Sequence, residues 1–173
     1  MSYDKNNAHY VVVTGILVNN EGKFLIAKRA DWEKAFPNQW TVPGGKLEVL
    51  EYALKQKDTG VHWYNVLENL LKREVLEEVG LEIKNIGYVT SLVYVRDDEI
   101  PTLIISLYAE PKKEEQQIKL CTALTEYKWV DMNEAKNYDL IEGIYEELEM
   151  LDKHLKGKGD IREDEWKLYS QKP

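Results

Sequence analysis

Three glutamates near the middle of the chain, Glu74, Glu77 and Glu78, have the spacing i, i+3, i+4 that gathers side chains on one side of a helix. Three carboxylates on one patch repel one another and raise each other's pKa unless a cation is bound. Clustered hard oxygen ligands suit Mg²⁺ or Mn²⁺. The spacing therefore favours a divalent-cation site, and the alternative is an ordinary solvated acidic surface.

The apolar residues of the same helix favour the cation site. Leu67, Leu70 and Leu71 share a face at about 100° per residue, and the same stripe continues into the glutamates. If the glutamates faced water, the leucines that lie one turn before them on the same stripe would face water as well. The stripe therefore predicts that these carboxylates lie where a core would otherwise be.

A glycine-rich turn precedes a second group of carboxylates. Pro43, Gly44 and Gly45 are followed by Glu48 and Glu51. Glycines let a backbone approach a metal or a phosphate closely and offer carbonyl or amide groups without a side chain in the way. Without the helix that follows, this sequence would predict only a turn.

Strands and two helices must position these groups. Residues 9–18 and 23–28 are predicted to form a hairpin, and residues 40–42 a short strand that the Pro-Gly-Gly sequence ends. Helical spacing predicts a helix over Val66–Val79, ended by Gly80. Further strands are expected at residues 83–95, 101–109 and 127–130, with an acidic turn at residues 97–99 and an amphipathic helix at residues 140–155 before a charged tail.

Length and composition exclude several classes of protein. The chain has 173 residues, 43% of them hydrophobic, which predicts one domain over residues 1–173. Its net charge of −8 argues against duplex nucleic acid and anionic membranes as partners. The single cysteine, Cys121, excludes an intramolecular disulfide. With no apolar run long enough for a signal peptide or membrane span, we expect a cytoplasmic protein.

Two separated motifs resemble the box of the Nudix hydrolases. The sequence Gly45-x5-Glu51, followed by REVLEEVGL at residues 73–81, is similar to the pattern G-x5-E-x7-R-E-U-x-E-E-x-G-U, in which U is apolar. All fixed positions of both halves are present. The resemblance implies an α/β fold, an α/β/α sandwich with a mixed β-sheet between helices, over about residues 10–155.

The chain departs from that pattern by an insertion. Between Glu51 and Arg73 lie 21 residues, where the pattern has seven, so the box at residues 45–81 is split by an insertion at about residues 52–65. Loop insertions cost little free energy, so the two halves can still meet. The role of Glu51 is open, because seven intervening residues before Arg73 would place the glutamate of the pattern at Asn65, and Glu68 is a nearer carboxylate.

The resemblance implies roles for individual residues. Glu74, Glu77 and Glu78 would bind Mg²⁺ or Mn²⁺ with the carbonyl of Gly45, and Arg73 would orient a glutamate, for which Glu51 is the first candidate. The catalytic candidates are Glu51, Arg73, Glu74, Glu77 and Glu78. Family members often add a glutamate from a loop before the last strand, and the candidates for it here are Glu126 and, behind it, Glu114 and Glu115.

Several basic and aromatic residues could bind the substrate. The candidates are Arg29, Trp32, Lys46, Lys55 and Trp63. Lys55 and Trp63 belong to the insertion, which we interpret as a flap that contacts phosphate or stacks on a flat group. The alternative for the insertion is an exposed loop with an aromatic side chain tucked against the body.

The resemblance implies a metal-dependent hydrolase that cleaves a pyrophosphate bond in a nucleoside diphosphate linked to another group, by attack of an activated water on phosphorus. We expect a small nucleotide-type substrate and allow for a homodimer. One alternative is a Nudix-fold nucleotide-binding or sensor module, although such modules usually lose the helix glutamates. Another is an enzyme like isopentenyl diphosphate isomerase, which is disfavoured because Val42, Pro43 and Gly44 stand where its cysteine would be.

Overall fold

The computed structural model describes residues 7–95, 101–113 and 116–157. Seven strands and four helices lie in these ranges. The strands are β1 (Tyr10–Leu17), β2 (Phe24–Arg29), β3 (Trp40–Thr41), β4 (Gly44–Lys46), β5 (Ile83–Val95), β6 (Pro101–Pro111) and β7 (Leu124–Val130). The helices are α1 (Leu50–Ala53), α2 (Val66–Val79), α3 (Met132–Ala135) and α4 (Ile144–Leu155).

The strands form two sheets. The four-stranded sheet has the order β4-β1-β6-β5, in which β1 and β6 are parallel and the other neighbours are antiparallel. The three-stranded sheet has the order β3-β2-β7 and is antiparallel throughout. The mixed sheet that the sequence predicts is the four-stranded one.

Strand β1 buries side chains on both of its faces, which requires cover on each side. Successive strand residues point to opposite faces. Val13 and Leu17 accordingly belong to an apolar cluster with residues of α2, whereas Ile16 belongs to a second cluster with residues of α4. Helices therefore cover both sides of the strands, and the predicted mixed α/β fold is confirmed. Within the described ranges, no helix has the length and apolar character needed to cross a membrane.

The predicted hairpin of the first two strands is wrong. A turn does join them, closed by a hydrogen bond of 3.0 Å from the Asn19 N–H to the Lys23 carbonyl and by a bridge between Val18 and Phe24. Beyond it the strands diverge into different sheets. Each strand takes its hydrogen-bonded neighbours from other parts of the chain, β1 from β4 and β6, and β2 from β3 and β7.

The glycine-rich turn is more regular than expected. The sequence predicts that the chain leaves extended structure at Pro43, but Gly44–Lys46 pairs as β4 with β1. A Cβ atom at Gly44 would collide with the backbone carbonyl of Val13. The missing side chain is therefore what lets β4 lie so close to β1.

The C-terminal helix is shorter than predicted, beginning at Ile144 instead of Leu140. Gly143, with φ of 93°, precedes it, while the Ile141 N–H donates to the Trp40 carbonyl at 2.9 Å. Leu140 and Ile141 therefore extend the contact with β3. The two single-turn helices, α1 and α3, were not predicted, and the expected acidic turn at residues 97–99 and the tail beyond residue 157 lie outside the described residues.

Helix α2 has the predicted bounds. Gly80 follows it with φ of 73°, and its N–H donates to the Leu76 carbonyl at 3.1 Å. A Cβ atom at Gly80 would lie 3.1 Å from the Cβ of Lys119, which is closer than ordinary van der Waals contact. A side chain at Gly80 therefore carries both a conformational and a steric cost.

We expect Gly80→Ala to lower the free energy of unfolding by more than the roughly 1–2 kcal/mol that a left-handed backbone costs a residue with a Cβ atom. Gly22→Ala is the matched control, because Gly22 also has φ of 73° but has no atom within 4 Å of the added Cβ. Urea denaturation of both variants measures the difference. Equal losses would show that the contact with Lys119 contributes nothing.

Candidate active site

The glutamates of α2 lie at different depths. Glu74 and Glu78 are largely buried along the stripe that begins with the leucines, whereas Glu77 is at its border and exposed. The apolar stripe also continues beside them through the buried Val75 and Val79. The carboxylates thus replace part of the apolar stripe, and the predicted convergence of all three on one patch is only partly right.

Arg73 connects the acidic groups through its guanidinium. One terminal nitrogen, Nη2, lies 2.7 Å from a carboxylate oxygen of Glu51 and 2.7 Å from one of Glu74. The other, Nη1, lies 2.8 Å from the carboxylate of Glu77. The planar fork of an arginine can hold several carboxylates in fixed directions. Arg73 therefore gathers three of the predicted catalytic glutamates around one cation.

Glu51 reaches Arg73 despite the insertion. It lies in α1, where its side chain also accepts from the Glu48 N–H at 3.2 Å. Glu68, the nearer carboxylate in sequence, instead lines a groove beside the exposed Lys72 and Leu76. The fold therefore places Glu51, and not Glu68, at the position that the G-x5-E half of the motif implies.

The glycine-rich strand touches the carboxylate side of α2. The Gly44 N–H donates to a carboxylate oxygen of Glu78 at 3.0 Å. A Cβ atom at Gly45 would overlap the carboxylate of Glu74. Gly44 was not among the predicted site residues, although the turn had indicated that its amide could serve as a donor.

Burial raises the pKa of two of these groups. It raises the pKa of Glu78 to about 7, and the neighbouring Glu74 adds to the increase while the Gly44 N–H opposes it. Burial also raises the pKa of Glu74, against the effect of Arg73. Desolvation disfavours a charged carboxylate, and a nearby cation would favour it again. The electrostatics of this pair are those of groups that gain from a bound cation.

The donor set fits a hard divalent cation. The groups near one another are carboxylate oxygens and backbone of a glycine strand, which suits Mg²⁺ or Mn²⁺. Across the described ranges, however, no three acidic, histidine or cysteine side chains converge closely enough to hold a metal as they stand. Glu74 and Glu77 are instead ion-paired with Arg73. Their side chains would have to rotate to complete a metal site.

Two predicted substrate-binding residues, Arg29 and Trp32, lie at the end of β2 and in the loop that follows it. The Arg29 guanidinium lies 2.8 Å from the carboxylate of Glu33, and its Nε donates to the Ala35 carbonyl at 2.8 Å. Arg29 is close enough to Glu78 to oppose the increase of its pKa. Trp32, in the same loop, is 66% exposed. Glu33 was missed, because the i,i+4 spacing of two charges is informative on a helix, whereas residues 30–33 form a loop.

Two other predicted residues are engaged elsewhere. The Lys46 ammonium lies 4.9 Å from the centre of the Tyr10 ring, and Glu126 lies 3.3 Å from Lys28 on the neighbouring strand. Neither makes a contact with the α2 carboxylates in the part of the chain that the structure describes. Glu114 and Glu115 lie outside that part.

The insertion folds back onto α1. The Trp63 Nε1–H donates to the Lys55 carbonyl at 3.0 Å, and its ring meets the Tyr52 ring edge to face at 5.4 Å. Lys55 and Trp63 line one cavity of about 400 Å³ together with Glu51 and Arg73. The fold therefore brings both predicted residues of the insertion to the edge of the acidic cluster.

Comparison with known proteins places this geometry in a family. A family model described as the NUDIX domain matches residues 8–151. The chain belongs to the NUDIX family. It is therefore a Nudix hydrolase, as the two motifs imply.

The relatives of this Nudix hydrolase are distant in sequence and close in fold. Nucleoside triphosphatase NudI of Escherichia coli is 28% identical over 138 residues, covering 72% of this chain and 84% of NudI. The MutT protein from Methanosarcina mazei has a TM-score of 0.61 at 20% identity, over 86% of this chain and 96% of that one. The NUDIX domain of Shewanella oneidensis NrtR, complexed with ADP ribose, has a TM-score of 0.66 at 16% identity, over 88% of this chain and 94% of that one.

We expect Gly45→Ala to weaken the binding of Mg²⁺ or Mn²⁺ at least about tenfold, since the added methyl group would displace the Glu74 carboxylate from β4. Isothermal titration calorimetry measures this affinity without any turnover. Gly60→Ala is the matched control, because a Cβ atom there meets nothing within 4 Å. Equal metal affinities in the two variants would show that Gly45 does not contribute to the metal site.

Proposed function

We propose that this Nudix hydrolase cleaves a pyrophosphate bond in a nucleoside diphosphate linked to another group, in a reaction that requires Mg²⁺ or Mn²⁺. The observation that carries the proposal is the cluster around Arg73, where Glu51, Glu74 and Glu77 meet one guanidinium. The proposed metal ligands are Glu74, Glu77 and Glu78 with the Gly45 carbonyl, and Glu126 is a further candidate.

Nucleoside triphosphates are the substrates to test first. NudI, the relative described above, is named a nucleoside triphosphatase and matches this chain over 84% of its length. A nucleoside triphosphate is also a nucleoside diphosphate linked to a further phosphate, so it falls within the general class that the Nudix box implies. Arg29, Trp32, Lys46, Lys55 and Trp63 are the proposed substrate-binding residues.

The residues of the cluster would have different roles in the reaction. A divalent cation supplies neutralisation of the bridged phosphates and activation of the attacking water. Glu74 and Glu78 provide carboxylate oxygens whose burial strengthens their attraction to positive charge. Arg73 holds Glu51 and Glu74 in fixed directions. A glutamate of the site, or one from another loop, would accept the proton of the attacking water.

A substrate screen tests the proposal. The panel is nucleoside triphosphates, nucleotide sugars, ADP-ribose, NAD and dinucleoside polyphosphates with Mg²⁺ or Mn²⁺, and phosphate release is measured with and without a coupled phosphatase. We expect hydrolysis of nucleoside triphosphates that EDTA abolishes. Tight binding of one compound with no turnover of any would instead indicate a binding or sensor module. The homodimer and the cytoplasmic location stay predictions.

We expect Glu77→Gln to reduce metal-dependent hydrolysis about 100-fold or more, because it removes a carboxylate charge from the proposed metal ligands. Glu82→Gln is the matched control. The two side chains are 58% and 57% exposed and each pairs with one basic residue, but Glu82 pairs with Lys112, away from the cluster. Similar rates in both variants would rule out a metal-ligand role for Glu77.

We expect Arg73→Lys to lower kcat about 10- to 100-fold, because an ammonium cannot hold three carboxylates through two separate nitrogens. KM should change much less, since Arg73 lies at the edge of the cavity that Lys55 and Trp63 line and its charge is already paired with carboxylates. Steady-state kinetics and thermal unfolding of the variant measure the two effects. An unchanged kcat in a folded Arg73→Lys protein would contradict the positioning role of the guanidinium fork.

A further inference from the structure

The insertion that splits the Nudix box encloses a cavity. Its volume of about 400 Å³ lies within the range of about 300–1,000 Å³ that is usual for small-molecule sites. One wall is α1 and the insertion, and the other is the N-terminal half of α2. The residues that line it are Leu50, Glu51, Tyr52, Lys55, Gln56, Asp58, Trp63, Tyr64, Asn65, Val66, Asn69, Leu70 and Arg73.

The insertion that encloses the cavity has a fixed local structure. Trp63 is held by its hydrogen bond to the Lys55 carbonyl, by the ring of Tyr52, and by the Lys57 ammonium 5.1 Å from its ring centre. The Tyr64 N–H donates to the Asp58 carboxylate at 2.9 Å. These contacts give the insertion a defined wall that faces α2.

The lining of the cavity includes aromatic rings and side-chain amides beside four charged side chains. The Tyr64 ring stacks against the His62 ring, with centroids 6.2 Å apart, but Tyr64 is 58% exposed, so ring surface stays available for a further stacking partner. The amides of Gln56, Asn65 and Asn69 take part in no side-chain hydrogen bond within the described residues. An amide offers a donor and an acceptor side by side, which matches the edge of a nucleobase, and aromatic rings stack on the face of any base.

The charges of the cavity do not favour a second anion. Lys55 and Asp58 both line the cavity, so their formal charges cancel, and Arg73 is already paired with Glu51 and Glu74. A flat and uncharged group therefore fits this lining better than a phosphate or a carboxylate. This combination distinguishes the cavity from the acidic cluster beside it.

The cavity adjoins the acidic cluster through two shared residues. Glu51 and Arg73 line the cavity and also belong to the cluster. We propose that the cavity between the insertion and α2 binds the nucleobase of the substrate, with the phosphates at the neighbouring carboxylates. The inference rests on the proposed function, since it assumes that the substrate is a nucleotide.

Equilibrium binding to the intact protein tests the inference without turnover. The probes are the four common ribonucleoside 5′-monophosphates and ribose 5-phosphate, which has the same sugar and phosphate but no base. By isothermal titration calorimetry with Mg²⁺, we expect one or more of the monophosphates to bind at least about tenfold more tightly, or about 1.4 kcal/mol. Equal affinity for ribose 5-phosphate and all four nucleotides would overturn the proposal.

Paired variants locate the base. Tyr64→Ala with Asn69→Ala removes a ring and an amide from the cavity, and we expect the preference over ribose 5-phosphate to fall below about threefold. Tyr88→Ala with Lys72→Ala is the control, since Tyr88 is similarly exposed at 50% and neither residue lines this cavity. A preference that survives in the first pair, or that Trp32→Ala abolishes instead, would overturn the proposal.

Failure of the proposed function gives a different result. If the wild-type protein hydrolyses no nucleotide but still binds a nucleoside monophosphate more tightly than ribose 5-phosphate, the proposed hydrolysis is wrong and the nucleobase site stands. If the protein hydrolyses nucleoside triphosphates and the cavity variants have an unchanged KM, the proposed hydrolysis stands and the nucleobase site is wrong. Thermal unfolding of each variant establishes that the compared proteins are folded.

Discussion

The ion-pair cluster around Arg73 is the interaction on which the rest of the site depends. Its guanidinium meets carboxylates from α1 and from α2, at distances of 2.7 to 2.8 Å. Two of these carboxylates, those of Glu51 and Glu74, are mostly buried, at 17% and 12% side-chain exposure. Because unpaired buried carboxylates are costly, Arg73 ties the position of α1 to that of α2.

The apolar residues of α2 explain how this helix can carry partly buried carboxylates. The helix packs through Leu70, Leu71, Val75 and Val79, so its place over the strands does not depend on the positions that the glutamates occupy. The glycine strand β4 then approaches the same helix, with Gly44 donating to Glu78. Apolar contacts hold the helix, and the space left beside them is lined by oxygen atoms and a backbone amide.

Local patterns predicted the parts of this molecule that local interactions determine. Helix α2 and its end at Gly80 follow from spacing along one segment, and both bounds were predicted. The separation of β1 and β2 into two sheets was not, because strands buried on both faces carry no alternation that identifies their neighbours. The contact of Glu51 with Arg73 was expected from the resemblance to the family pattern and not from counting, since 21 residues lie between them.

The location of the insertion explains how the acidic cluster tolerates it. Its two ends are fixed, one by Glu51 on Arg73 and the other by the start of α2, and Arg73 lies only two turns into that helix. Extra residues between fixed ends cost little closure entropy and must extend outward from the body. They add a wall beside the acidic cluster, while Glu51 and Arg73 still meet at 2.7 Å across the insertion. An insertion at this point therefore adds a lining next to the acidic cluster without separating the two halves of the motif.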